Sequence, residues 1–288
     1  VRYEQIQAHG EETPVRWLCS ALCVSPRAYY EWRQRNGGPR RQEERRLTTE
    51  IRACFEASQR TYGSPRIRKD LASLGYHVAE KRVARLMRES GLAAVQRRRF
   101  KVTTQSGHRF PVTPNVLARR FDVVVPNQAW VADITYIATE EGWLYLAALM
   151  DLYSRRIVGW NAASRIDRWL TLTALERALR LRQPPPGLVH HSDQGSPYAA
   201  YEYQERLRQA QAISSMSRKG DCYDNAAMES FFSSLKRERI HRRRSWNRDE
   251  GTADIHDYIA NFYNPKRRHS HLGGLSPVDY ENRQTDLN

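Results

Sequence analysis

The stretch Trp130-Val131-Ala132-Asp133-Ile134-Thr135-Tyr136-Ile137 sets a single acidic residue in a run that is otherwise largely apolar. Its alternation reads as a β-strand, with Trp130, Ala132, Ile134 and Tyr136 on one face and Val131, Asp133, Thr135 and Ile137 on the other. An ionised carboxylate in such a strand loses hydration worth several kcal/mol unless a cation or hydrogen-bond donors replace it. Asp133 therefore needs a partner, which is an arginine, a turn that it caps, or a metal ion.

Outward from this strand, Glu140-Glu141-Gly142 marks a turn, a second strand runs from Trp143 to Met150, and a third from Arg156 to Ala162. A helix starts near Asp167, carries Leu172, Leu175 and Leu179 on one side, and ends before Pro184-Pro185-Pro186. The apolar run Gly187-Leu188-Val189 opens another strand, which ends at Asp193 before the turn signal Gln194-Gly195-Ser196-Pro197. Strand carboxyl ends are where open α/β sheets place ligands. An Asx turn before Gly195 is the alternative role for Asp193. A short strand is expected near Gln211 to Ser214, with further helices.

Glu229 is the third carboxylate in an apolar setting. It shares one helical stripe with Asn225 at i−4, Phe232 at i+3 and Lys236 at i+7, flanked by Met228, Phe231 and Leu235. That suits a helix packed on a sheet beside a site; the alternative is a solvated charged face. A rise of about 1.5 Å per residue puts Lys236 roughly 10 Å along the axis, far enough to reach a DNA phosphate while Glu229 reaches a metal. Asp224 reads as the N-cap of this helix and Asp221 as part of the Gly220 loop, because both precede the helical pattern.

The chain as a whole is basic: Lys+Arg 47 against Asp+Glu 32, a formal charge of +15 and a pI near 10.0 over 288 residues. Such a chain is drawn to polyanions in a salt-dependent way, RNA as readily as DNA. No apolar stretch approaches a membrane span and no secretory signal is evident. Cys19, Cys23, Cys54 and Cys222 form no CxxC pair, so a reduced, cytoplasmic setting is expected. Cys19 and Cys23 at i, i+4 read as packed within a helix.

Two helix-turn-helix-like units precede the strands. In the first, Val15 to Leu22 leads to a turn where Ser25 can cap and Pro26 suits the first helical position. In the second, Lys81, Arg85 and Arg88, with Arg82 beside them, face away from Val83, Leu86 and Met87, as on a recognition helix; a solvated basic face on a helical bundle is the alternative. Residues 96–122, including Arg97, Arg98, Arg99 and Lys101, read as a basic linker able to track a DNA backbone.

Trp130 to Tyr136, His191-Ser192-Asp193-Gln194-Gly195-Ser196 and Asp224-Asn225-Ala226-Ala227-Met228-Glu229-Ser230-Phe231 together resemble the DDE transposases of bacterial insertion sequences. The resemblance is to the second-frame product, OrfB, of the two-frame insertion sequence three family, whose catalytic core is similar to that of retroviral integrases. That group typically leaves 35 residues between its second Asp and its Glu; here 229 − 193 = 36, which leaves 35. It also places a basic residue seven beyond the Glu, as Lys236 is. The likeness reaches Tyr263-Asn264-Pro265-Lys266-Arg267-Arg268-His269 and Leu275-Ser276-Pro277, although the His pair of the integrase zinc domain is missing.

The resemblance implies an α/β, ribonuclease H-like (integrase-like) catalytic core over 123–240, preceded by an all-helical helix-turn-helix DNA-binding region at 1–40 and 41–95. A basic extension of the core follows at 241–288. It implies a transposase that binds element ends and performs metal-dependent cleavage and strand transfer, with Asp133, Asp193 and Glu229 as catalytic ligands of two Mg2+ ions, Mn2+ substituting. Asn225 and His191 are supporting residues, His191 equally suited to packing. Terminal repeats and target DNA are the implied partners, with a homo-oligomer on DNA and an upstream OrfA protein, fused or cooperating. A hydrolysing nuclease and a DNA-binding repressor with a decayed core are the competing readings, separated by strand transfer and by metal-dependent cleavage respectively.

Overall fold

The computed structural model describes residues 1–37, 39–94, 113–116, 123–217, 225–242 and 246–285. Arg97, Arg98, Arg99 and Lys101 of the expected basic linker, and Asp221, Cys222 and Asp224, lie outside the described residues. The chain divides into two compact units, Val1–Ala94 and Val95–Asn288.

The first unit is helical: α1 (Arg2–His9), α2 (Val15–Ala21), α3 (Pro26–Gly37), α4 (Pro39–Ala57), α5 (Ser64–Ser73) and α6 (Glu80–Glu89). The division expected near residue 40 falls at the start of α4. Ile6, Cys19 and Tyr29 form a small buried cluster under α1 to α3. Cys23 is not packed with Cys19 inside a helix: it lies beyond α2, exposed and left-handed at φ 51°. In the second half, Leu47 and Ile51 of α4, Ile67 and Leu71 of α5, and Val83, Leu86 and Met87 of α6 are buried. Gly75, at φ 88°, makes the tight exit from α5 that a residue with a Cβ would resist.

The second unit holds a five-stranded sheet of β1 (Ala129–Thr139), β2 (Gly142–Asp151), β3 (Ile157–Ala163), β4 (Val189–Ser192) and β5 (Ile213–Met216), in the order β3-β2-β1-β4-β5. The first three strands are antiparallel, while β4 and β5 run parallel to β1. Return to a parallel strand requires a crossover, and α7 (Arg168–Arg182) supplies it. Asp167 caps α7 by accepting from the amides of Trp169 and Leu170.

Leu175 and Leu179 lie on the buried face of α7 as the pattern expects, and Leu172 packs against the same core while partly buried. Leu170, Ala174 and Ala178 share that face. The cause is a close approach: a Cβ on Gly159 of β3 would stand 2.3 Å from the Ala174 carbonyl oxygen, so the alanines must face the strand there. The core cluster continues through Trp130, Ala132, Leu149 and Val158 to Tyr198 of α8 (Ser196–Ala199) and Tyr203 of α9 (Tyr201–Gln209).

Part of the expected linker is attached to the sheet. The Val116 amide donates to the Ser215 hydroxyl at 2.9 Å, and the Thr113 and Ser214 hydroxyls are 3.4 Å apart, which places residues 113–116 along β5.

The chain ends in α10 (Ala226–Glu238), α11 (Arg248–Asp257), a π-helical turn (Tyr258–Tyr263) and α12 (Pro277–Thr285). This C-terminal part is a component of the core. Glu281 of α12 accepts from Ser154 and Arg156, and shares Arg182 with the fully buried Asp151 at the end of β2. No helix among the described residues is long and apolar enough to cross a membrane.

Candidate active site

Asp133 and Asp193 come together through strand register. Val131 pairs with His191 across the parallel β1–β4 ladder, and two residues further along each chain are Asp133 and, just past β4, Asp193. Beyond that level β4 no longer covers β1, and the start of α10 takes its place. Asn225, at the N-cap position, donates its side-chain amide to the Ala132 carbonyl at 3.3 Å. Asn225 stands at the N-cap position, and its side chain holds the helix to the strand instead of capping. Glu229 follows in the first turn of α10, at the solvent-exposed rim.

Two aspartates of neighbouring strands show what distinguishes Asp133. Asp151, paired across from Trp130, is fully buried and compensated by Arg182 at 3.1 Å and by the amides of Asn127 and Tyr153. It follows the arginine-paired alternative. Asp133 has one donor among the described residues, the Ile134 amide at 2.8 Å. Burial pushes its carboxyl up to about 8, with the Asp193 and Glu229 charges adding to the rise and the Ile134 amide and Lys236 ammonium opposing it. Asp193 does form the Asx turn, accepting from the Gly195 amide at 2.9 Å, and this leaves its charge within reach of Asp133. Burial also raises the Glu229 carboxyl.

The three acids thus share one electrostatic neighbourhood with too little positive charge in it. Among the described residues, no three His, Cys, Asp or Glu side chains are gathered tightly enough to form a ready-made metal cage. An all-oxygen donor set with one carboxyl pushed up by burial and further by its neighbours fits a hard divalent cation, whose binding would favour the ionised form.

The sign of the resulting pH dependence is fixed. An unfolded Asp titrates near 3.9, so between about 4 and about 8 the folded, metal-free chain holds a proton that the unfolded chain has released. Its stability falls as pH rises across that window. Asp133→Asn is expected to melt at least a few degrees above the parent at pH 8 in chelator. Added Mg2+ raises the melting temperature of the parent but not that of the variant. Equal melting temperatures in chelator at pH 8 would show that the buried charge carries no cost.

Lys236 does not extend away from the acids. Its ammonium lies 4.8 Å from the centre of the Tyr136 ring, and burial lowers its pKa while the Asp133 charge raises it. His191 is fully buried, its Nδ1 2.9 Å from the Ser215 hydroxyl across the β4–β5 pair, so the structure places it in the sheet's packing. His190, which bonds the Tyr203 hydroxyl at 2.9 Å, is held neutral by burial, its imidazole down at about 3.

In the helical unit, Lys81 and Arg88 are exposed on α6. Arg82 and Arg85 instead tie α6 to α4, Arg82 to Glu43 at 3.0 Å and Arg85 to Glu44 at 2.5 Å, with Arg85 also on Glu89.

Sequence reasoning missed the support of α10. Arg267 grips Glu238 through Nε at 2.8 Å and Nη2 at 2.7 Å, Nη2 also reaches Ser234, and the Tyr258 hydroxyl donates to the same carboxylate at 2.8 Å. Arg239 pairs with Asp254 and Asp257 of α11. These ties hold the helix that carries Glu229 and Lys236.

Comparison with known proteins accounts for both units. Residues 42–100 match an HTH-like domain, and residues 124–222 and 229–285 match two integrase core domain families. The chain is 46% identical over 266 residues to the insertion element IS600 uncharacterized 31 kDa protein of Shigella sonnei, covering 92% of this chain and 98% of that one. It is 39% identical over 285 residues to transposase InsF for insertion sequence IS3A of Escherichia coli (strain K12), covering 98% and 99%. Solved structures are more distant. The simian T-cell lymphotropic virus intasome in complex with PP2A regulatory subunit B56 gamma matches with TM-score 0.47 at 15% identity over 62% of this chain and 60% of that one. The HTLV-2 integrase catalytic core domain in complex with magnesium, dimeric form, matches with TM-score 0.42 at 16% identity over 55% and 97%. The integrase core family depends on divalent metal. With a helical HTH-like region, an integrase core and these two relatives along almost its whole length, the chain belongs to the IS3 family of insertion-sequence transposases, DNA-binding polynucleotidyl transferases of DNA transposition.

Proposed function

We propose that Asp133, Asp193 and Glu229 hold two Mg2+ ions, for which Mn2+ can substitute, and that DNA held by the basic helices is cut and joined at them. The observation that carries this reading is the weak compensation of part-buried Asp133, which has one amide donor beside two further acids, against Asp151 on the neighbouring strand, which has Arg182 and two amides. When bound, the ions would lower the pKa of an attacking water or 3′ hydroxyl and stabilise the departing oxygen. The chain's own residues do the rest. Asp133 would hold a cation as the carboxylate, Asn225 fixes α10 against β1, and Lys236 offers its ammonium to a phosphate beside the acids. Terminal repeats and target DNA are the substrates, served by a homo-oligomer, with an upstream OrfA protein fused or acting alongside. No protein nucleophile is required.

The stereochemical test uses a target with a phosphorothioate of known chirality, precut 3′ hydroxyl ends and divalent metal. One in-line displacement inverts the phosphorus, and inversion is expected. Net retention in the joined product would mean a covalent protein intermediate and would reject this mechanism.

DNA binding divides along α6. Lys81 and Arg88 are exposed, whereas Arg82 and Arg85 are engaged with Glu43, Glu44 and Glu89. Lys81→Ala and Arg88→Ala are each expected to lower the salt slope of end binding by about one. Arg82→Ala and Arg85→Ala should act first on the packing of α6 against α4. Unchanged affinity and salt slope in the Lys81/Arg88 double variant would leave the face merely solvated.

A further inference from the structure

Two large aromatic side chains stand half out of the core near the candidate active site. Tyr136 is 48% exposed and Trp143 50%. Single exposed aromatics are ordinary, but these form a built arrangement. Their rings meet edge to face, centroids 5.1 Å apart and planes at 82°, and Lys236 places its ammonium over the Tyr136 ring. The hairpin that carries them is braced. Arg248 donates to the carbonyls of Glu141 and Trp143, the Trp246 indole donates to the Ala138 carbonyl, and the Glu140 amide donates to the Trp246 carbonyl. Glu141, the acid nearest the platform in sequence, accepts from the Arg248 amide at 2.7 Å. A surface held this firmly loses little conformational freedom when something packs on it.

Position supplies the ligand. Tyr136 lies three residues beyond Asp133 on β1, so the pleat turns it to the opposite face. Lys236 links the two, its ammonium 4.8 Å from the Tyr136 ring centre and within electrostatic reach of Asp133. A strand with a phosphodiester at the acids therefore brings a nearby base to the aromatic pair and an intervening phosphate to Lys236. Aromatic faces beside a cation are what unpaired bases stack on, whatever their sequence.

We propose that Trp143, walled by Tyr136 and flanked by Lys236, is a stacking subsite for an unpaired nucleobase close to the phosphodiester being processed. The inference rests on the reading of Asp133, Asp193 and Glu229 as the active site. Trp143 supplies the flat face, Tyr136 fixes its orientation, and Lys236 neutralises the adjoining phosphate. The subsite favours ends whose terminal pairs are open, since a paired base keeps its faces inside the duplex.

The experiment uses the full chain with two DNA probes in Ca2+, a blunt duplex and the same duplex with a single-stranded tail carrying the fluorescent base pyrrolocytosine. The parent is expected to bind the tailed probe more tightly and to quench the analogue. Trp143→Ala should lose the quench and weaken tailed-probe binding by about tenfold, with blunt-duplex affinity changed less than about twofold. Trp143→Phe should recover much of the binding, and Tyr136→Leu should show an intermediate loss. Equal parental affinity for the two probes with no quench would overturn the subsite, as would a Trp143→Ala protein that still quenches and binds like the parent. Melting curves of each variant separate misfolding from loss of contact. Cleavage in Mg2+ is scored on the same preparations. Cleavage by Asp133→Asn rejects the active-site reading, whereas absent quenching with Asp133-dependent cleavage rejects the stacking subsite alone.

Discussion

Asp133→Ala, Asp193→Ala and Glu229→Ala are each expected to reduce strand cleavage by more than about a thousandfold while leaving end binding largely intact. The size follows from the role assigned to the acids. Removing a ligand forfeits charge stabilisation worth several kcal/mol in the transition state, and each 1.36 kcal/mol is a factor of ten in rate. Binding survives because phosphate contacts come from basic side chains elsewhere. The three should not fail identically. Asp133 is part-buried and bonds only the Ile134 amide among the described residues, so its alanine variant should be at least as stable as the parent when metal is absent. Glu229 sits at the exposed rim, and its loss should leave weak metal binding at the two aspartates. Gel shift, metal titration and cleavage on one set of preparations decide the matter, and near-normal cleavage by any one variant removes that residue from the site.

The second large effect lies away from the acids. Arg267 and Glu238 are almost wholly buried, at 4% and 3% exposure, and make a bidentate pair reinforced by Ser234 and Tyr258. Arg267→Ala strands a buried carboxylate and is expected to cost about 3–5 kcal/mol, lowering the melting temperature by roughly 10 °C for a chain of this size. The double variant Arg267→Met/Glu238→Leu removes both charges and should recover most of that loss. Because the pair holds α10, the single variant should also lose cleavage at temperatures where it remains folded. If the single and double variants melted alike, the pair would contribute nothing beyond packing.

The Arg267 pair shows where the sequence misleads. Within Lys266-Arg267-Arg268 it reads as one more cation of a basic extension, yet its guanidinium is enclosed and neutralised by an acid 29 residues earlier. Arg82 and Arg85 differ in the same way, since their neighbours on α4 lie about forty positions away. Spacing on one helix reports which face is apolar, as it did for Val83, Leu86 and Met87, because that periodicity is local. It does not report which cations are already paired. Asn225 shows the same limit: it reads as one member of a helical stripe, yet its side chain is used by β1.

What the sequence by itself determined was the order of elements, the apolar faces and the three acids. Strand alternation, helical stripes and the 35-residue interval from Asp193 to Glu229 are properties of neighbours along the chain. The tertiary structure alone decided that β1 and β4 run parallel in a register that levels Asp133 with Asp193. It also decided that Asp151 acquires Arg182 while Asp133 acquires two further negative charges, and that Lys236 turns onto Tyr136. The reason is that an ionised side chain takes its energy from charges and solvent within several ångströms in space, and which residues those are is settled only when strands and helices distant in sequence pack together.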